Sequence, residues 1–257
     1  MPDTGKGGDF MTLQPNSQRL AILGYHKIGD PPPGGWSSWF YISESAFVSQ
    51  LGHLRENGWQ VISVAEFLRG LEAPESLPDR AALVTFDDGY RSNVQVAIPW
   101  LKRFGYPSVV FVPTKFIGAY NAFDDGYEPR EAICDWDDLQ ELERRGCSIQ
   151  SHSVSHKSLS GLNPAELERE LLESKTVLET GLGKSVEVFA YPYGDEGVEQ
   201  ALTTDVLKQA GYRAACLYGG GPNPVPVADC YRLMRLAMGP DTDLRSLLIE
   251  EAEEVNR

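Results

Sequence analysis

At 257 residues the chain can bury one large core, and 42% hydrophobic with 23% charged residues is the make-up of a globular protein, neither disordered nor fibrous. A formal net charge of −14 argues against a binder of phosphate backbones, which needs a basic face. The four cysteines, Cys134, Cys147, Cys216 and Cys230, contain no C-x-x-C pair, so a zinc ribbon or dithiol redox motif has no support, although a disulfide stays open.

Residues 1–18 read as a disordered or loosely packed tail, ahead of a single domain over 19–257. The first apolar run, residues 20–25, is too short for a signal-peptide core, and no stretch approaches the ~20 apolar residues of a membrane span. The expectation is a cytoplasmic protein, or an extracytoplasmic one if a leader has been removed. That first run is a short strand ending at His26. A Pro/Gly loop then leads to Trp36, Trp39, Phe40 and Tyr41, as a core plug or a sugar-binding rim. Phe47, Leu51 and Leu54 share one face of a helix over residues 43–57, with His53 on its surface side and Gly58 stopping it. A strand over 61–63 and a helix over 64–71 follow. The apolar run 81–86 then ends abruptly in Asp87, Asp88 and Gly89.

Residues 91–104 read as a helix in which Pro99 either makes a kink or marks the first turn of a second part. Residues 108–112 are a strand, and 116–133 form the longest irregular region. Long loops in compact domains are often functional. A helix over 136–145 opens at Asp135, and a strand over 147–150 runs into Ser151 and His152. Asn163, Pro164 and Glu166 open the best-defined helix, 163–182, with a capping-box pattern. Then come a strand over 186–190, a helix over 198–210, a strand over 212–217, a final strand over 231–238 and a final helix over 241–254. Strand and helix alternate almost throughout, which specifies parallel βα units in a closed or partly open barrel or a doubly wound sheet. No G-x-G-x-x-G follows any strand, so a dinucleotide fold loses its main support.

Only four histidines occur, and two of them, His152 and His156, lie four apart directly after a strand. They are either hydrogen-bonding loop residues or, if the segment turns helically, two imidazoles converging on one metal. In parallel βα folds the strand carboxyl ends share one side. Asp87, Asp88, His152 and the turn at 191–194 would therefore surround one mouth. One carboxylate and two imidazoles make a three-ligand set suited to zinc, with cobalt, iron, manganese or nickel as alternatives. The second aspartate is then free to act as general base. The chemistry expected is hydrolysis of an amide or ester by a metal-bound water.

The stretches T-F-D-D-G-Y at 85–90, H-S-V-S-H at 152–156 and F-A-Y-P-Y-G at 189–194 carry a resemblance. The chain resembles the polysaccharide deacetylases, the NodB-homology fold of carbohydrate esterase family 4. With Y-H-K-I at 25–28, it is most similar to the branch that includes biofilm poly-N-acetylglucosamine deacetylases. The resemblance implies an irregular (β/α) barrel, usually of seven strands. It implies Asp87 as general base, and Asp88, His152 and His156 as metal ligands. It also implies that the Tyr193 backbone N–H serves the oxyanion. The reaction implied removes an acetyl group from an N-acetylated sugar. The partner is then a carbohydrate, with no nucleic acid and no membrane span.

Three departures from the family pattern matter. The Arg that opens the third motif and supports the catalytic aspartate is Ala190 here. Arg235, in R-L-M-R-L, is the first replacement expected and Arg232 the second. The usual D-W pair is absent, and Asp135-Trp136 comes too early, although Trp136 is expected to line the mouth. The terminal Leu-x-His that supplies the general acid is also missing. His26 is expected to assist protonation of the leaving amine or bind substrate, if it is not a core histidine. Tyr90 and Tyr191 are the other substrate contacts expected, and Asp124 and Asp125 would attract a cationic, partly deacetylated chain. Competing readings are an O-acetyl esterase acting on a glycan and a non-catalytic glycan-binding relative.

Overall fold

The computed structural model describes residues 18–249. Residues 1–17 of the expected tail and 250–254 of the expected last helix lie outside the described residues. The elements in order are β1 (Arg19–Tyr25), β2 (Lys27–Ile28), β3 (Tyr41–Ile42), α1 (Glu44–Glu56), β4 (Gln60–Val61), α2 (Val64–Glu72) and β5 (Arg80–Phe86). Next are α3 (Arg91–Gln95), α4 (Ala97–Phe104), β6 (Ser108–Val112), α5 (Trp136–Arg144), β7 (Cys147–Ser151) and α6 (Pro164–Leu182). The last are β8 (Val188–Ala190), α7 (Gln200–Ala210), β9 (Ala214–Cys216), β10 (Asn223–Pro224), β11 (Leu236–Ala237) and α8 (Leu244–Ile249).

Among the described residues nine strands form the main sheet, with β1, β5, β6, β7, β8 and β9 side by side and parallel. Leu233 bridges Cys216 at the end of β9, and β11 pairs in parallel with β1. The sheet thus curls until its last segment returns to its first strand, an irregular barrel of the expected kind. Beyond the seven strands expected, it has β4 on β5 and an antiparallel β10 on β1. Side chains alternate across this wall with period two. Leu20, Ile22, Ala81, Leu83, Val109 and Phe111 share a buried cluster with Phe67 and Leu68 of α2. The intervening Ala21, Leu23, Ala82, Val84 and Val110 pack instead with Phe47, Leu51, Leu101, Leu171 and Leu207 of the outer helices. Both faces of the wall are covered, so the strands read as continuous apolar runs.

Several elements differ from the sequence expectation. The helix expected over 91–104 is two helices broken at Val96. Pro99 sits in the first turn of α4, where an N–H has no intrahelical partner to lose. The strand expected over 231–238 is regular only at Leu236–Ala237. Its middle is diverted, because the Asn223 side chain accepts from the Met234 N–H and donates to the Met234 carbonyl. That amide takes the place of a neighbouring strand. His53, expected on the surface, is half-buried and its ring meets Asn57 at 3.1 Å. All four cysteines are free thiols.

Candidate active site

The inward parity of β5 runs Ala81, Leu83, Thr85 and on to Asp87, and that of the closing segment runs Leu233 to Arg235. Period two therefore aims a carboxylate and a guanidinium into the barrel above the inner apolar cluster. They meet there. Arg235 is fully buried and donates to both oxygens of Asp87, at 2.6 and 2.7 Å. Its Nε donates to the Leu217 carbonyl at 2.6 Å, and its guanidinium lies 5.5 Å from the Phe111 ring. Burial by itself would raise the Asp87 pKa, but Arg235 and the neighbouring imidazoles outweigh it and hold the carboxyl below its ordinary range. Arg232 lies elsewhere, paired with Glu196 at the surface.

Asp88 turns the other way. Its φ of 67° lies in the left-handed region, and Gly89, at 70°, continues the turn. The described non-glycine residues with positive φ are Asp88, Ser153, His156 and Tyr193, and all four belong to this site. Such conformations cost roughly 1–3 kcal/mol each and persist only where the surroundings impose them. For the histidine loop the imposing group is Glu170 of α6. This buried carboxylate accepts from the Val154 and Ser155 N–H groups and from the Ser155 hydroxyl. The Ser153 hydroxyl accepts from the His156 N–H.

The donor atoms of Asp88, His152 and His156 lie within 4.8 Å of one another. Asp88 Oδ1 is 3.1 Å from His156 Nε2 and 3.6 Å from His152 Nε2. It is buried and has no hydrogen-bond partner among the described residues. His152 Nδ1 meets the Ala190 carbonyl at 2.8 Å. A carbonyl only accepts, so the proton belongs on Nδ1 and the Nε2 lone pair is left facing Asp88. Burial pushes the His152 pKa down to about 4, which keeps that lone pair available. Burial works the same way on His156, but Asp88 outweighs it and the net direction is up. An ionised oxygen buried without donors is costly unless a cation lies beside it. These three residues fit a divalent metal, the expected cofactor.

Asp87, Asp88, His26, His152, His156 and Tyr218 line one cavity of about 380 Å³. His26 Nε2 is 3.9 Å from Asp87 Oδ2, and its ring lies against Phe40 and Tyr218. Burial lowers its pKa although Asp87 and Asp88 pull upward, so the imidazole is neutral near pH 7. Tyr193 packs edge-on to His156, with ring centres 4.7 Å apart, and its hydroxyl lies near Asp124. Burial and the Asp124 carboxylate push that hydroxyl up to about 12. Tyr90 walls the floor, almost fully buried. A wider surface depression of about 920 Å³ beside Trp100 and Arg144 gathers no comparable donor set.

One of the expected contacts is corrected. Trp136 does not line the cavity; it packs against α6, where a Cβ on Gly181 would come 2.2 Å from its ring. As the first residue of α5, capped by Asp135, it follows the helix outward. Tyr191 borders the cavity, but its ring belongs to the outer core and its hydroxyl donates to the Tyr231 carbonyl at 2.9 Å. Phe123, Tyr127, Glu128 and Tyr218 were not foreseen as cavity residues. Tyr218 had a readable signal, since it lies two residues past a strand end. The others come from the irregular region, where only its length marked it. Glu128 is tied down by Lys27, whose ammonium is buried, bonds Glu128 at 2.7 Å and lies 4.7 Å from the Tyr90 ring.

Known proteins resemble this chain in sequence and in fold. YxkH of Bacillus subtilis (strain 168) is 27% identical over 195 residues, 76% of this chain and 63% of YxkH. The poly-beta-1,6-N-acetyl-D-glucosamine N-deacetylase of Escherichia coli (strain K12) is 25% identical over 225 residues, 75% of this chain and 33% of that protein. The chain therefore spans less than two thirds of the length of either curated relative. Among solved structures, Streptococcus pyogenes deacetylase PplD superposes with a TM-score of 0.76 at 23% identity, covering 90% of this chain and 97% of that one. IcaB from Ammonifex degensii gives 0.75 at 24% identity, covering 88% and 94%. These two likenesses are of fold. The polysaccharide deacetylase profile matches residues 75–215, more than half of the chain, and takes in both aspartates, both histidines and the 191–194 turn; the chain belongs to the polysaccharide deacetylase family.

Proposed function

We propose that this chain is a metal-dependent hydrolase that removes acetyl groups from N-acetylated sugars of a glycan of the N-acetylglucosamine type. One observation carries the reading. The two adjacent carboxylates are divided: Asp88 faces two imidazoles, whereas Asp87 is held by Arg235 in the same cavity, outside the three-donor set. A divalent metal held by Asp88, His152 and His156, zinc before cobalt, manganese, iron or nickel, would lower the pKa of a water and polarise the acetyl carbonyl.

The remaining work falls to the chain's own groups. Arg235 keeps Asp87 ionised, so Asp87 takes a proton from the attacking water. The water oxygen bonds to the acetyl carbon, the C–N bond breaks, and acetate and a free amine leave. Asp87 then hands that proton to neutral His26, whose Nε2 lies 3.9 Å away, and the imidazolium so formed gives it to the leaving nitrogen. The Tyr193 N–H is assigned to the developing oxyanion, on the strength of the third motif and its left-handed turn. A cavity of about 380 Å³ matches a sugar with its acetamido group, at the small end of ligand pockets. Relatives from Escherichia coli and Staphylococcus aureus are named poly-beta-1,6-N-acetyl-D-glucosamine N-deacetylases, which favours the N-acetyl substrate.

The test is metal analysis of the purified protein together with acetate release from N-acetylglucosamine oligomers. Asp87→Asn is expected to keep the metal and lose turnover. Full activity in that variant would remove Asp87 from the role of base. Acetate released only from O-acetylated oligosaccharides would make the chain an esterase. Bound metal with no acetate from either substrate would make it a glycan-binding relative.

A further inference from the structure

Tyr218 stands two residues beyond β9, on the Asp87–His26 side of the cavity. Its ring lies edge-on to His26 at 5.2 Å and 5.4 Å from the Arg235 guanidinium. Two glycines make its seat. A Cβ on Gly24 would come 3.2 Å from its Cε2, and one on Gly194 would come 2.9 Å from its backbone nitrogen. The ring is therefore closely confined. Its hydroxyl, by contrast, is buried and has no hydrogen-bond partner among the described residues. The hydroxyls of Tyr25, Tyr191 and Tyr212 each find an acceptor in the protein. Tyr106 is also unpartnered but does not line the cavity. A buried hydroxyl left without a partner is a cost to folding, and it calls for an explanation.

We propose that the Tyr218 hydroxyl is a substrate-binding group that donates a hydrogen bond to an oxygen of the sugar ring carrying the acetamide. This rests on the deacetylase reading above. The assignment to the sugar follows from position: the metal-binding trio and Tyr193 surround the acetyl carbonyl, whereas Asp87 and His26 mark the leaving-amine side. Burial and the nearby Asp87 carboxylate push the hydroxyl pKa upward, so it keeps its proton and acts as a donor. Tyr218 would then select sugars by an oxygen next to the scissile amide, apart from any contact with the acetyl group.

Tyr218→Phe tests this, because it deletes the hydroxyl and keeps the ring. The wild type and the variant are compared on an N-acetylglucosamine oligomer and on 4-nitrophenyl acetate, which offers an acetyl group without sugar oxygens. The expected result is that the ratio of kcat/KM, oligomer over aryl acetate, falls about tenfold, the worth of one neutral hydrogen bond. Metal content should match the wild type, and Tm should be equal or higher, because no protein partner is lost. A ratio within about twofold of wild type would overturn the assignment. So would a fall in Tm with loss of metal, which would make the hydroxyl structural. If the wild type releases acetate from neither substrate, the deacetylase reading fails first and takes this assignment with it.

Discussion

Replacing Arg235 by methionine isolates the interaction on which the general base depends. The fully buried guanidinium makes two bonds to Asp87 and one to the Leu217 carbonyl. Methionine fills part of the space and leaves Asp87, only 2% exposed, a buried carboxylate without its cation. Breaking one side of such a pair costs about 3–5 kcal/mol, a large share of a total stability of roughly 5–15 kcal/mol. The sign with pH follows from linkage. In the wild type Arg235 holds the folded pKa of Asp87 below its unfolded value, against burial. That contribution is present above the unfolded pKa, ~3.9, and is lost as pH falls through the folded one. In the variant burial dominates and the folded pKa moves above the unfolded one, so stability is lost as pH rises. The penalty is therefore largest near neutral pH and shrinks toward about pH 4. Urea denaturation of the metal-free protein at about pH 7.5 and pH 4.5 measures both limits. In an Asp87→Asn background no carboxylate is stranded, and Arg235→Met should cost close to nothing. A penalty below about 1 kcal/mol at neutral pH, or one equal at both pH values, would refute the reasoning. Turnover should fall at least ~100-fold, the scale of general-base catalysis.

Stripping the metal with a chelator should abolish acetate release, and zinc should restore it. His152→Ala should fail to retain stoichiometric metal by elemental analysis, and retention would break the proposed ligand set. Glu170→Ala removes the carboxylate that holds the Val154 and Ser155 N–H groups. It should weaken metal affinity by about 10- to 100-fold in titration calorimetry, the usual worth of a group that orients a ligand. Lys27→Met strands Glu128, whose side chain is 8% exposed, and should cost about 3–5 kcal/mol in chemical denaturation. Adding Glu128→Gln should recover most of that loss; no recovery would mean that the Lys27 contacts with Tyr41 and Tyr90 carry the effect instead.

The sequence alone determined what is local or periodic. Apolar runs ending in Asp87-Asp88, in His152 and in the 191–194 turn located the strand ends, because a strand buried on both faces must be apolar until it reaches the rim. Asn163, Pro164 and Glu166 marked the start of α6 because capping is a contact between near neighbours. The H-x-x-x-H spacing gave a metal-ligand pair as one of two readings, and the family motifs chose between them. Arg235 was legible only as a first guess, because its partner lies 148 residues away in the chain. Their meeting depends on the barrel closing between β9 and β1. Trp136 went astray for the complementary reason: closeness in sequence to a strand end does not say which way a helix start will face. The division of the two aspartates, the unpartnered Tyr218 hydroxyl and the Lys27–Glu128 tie likewise exist only once the sheet has curled. Each is a relation between rims of different strands or loops. Local propensity fixes where a rim begins, but only the closed barrel decides which side chains face one another across it.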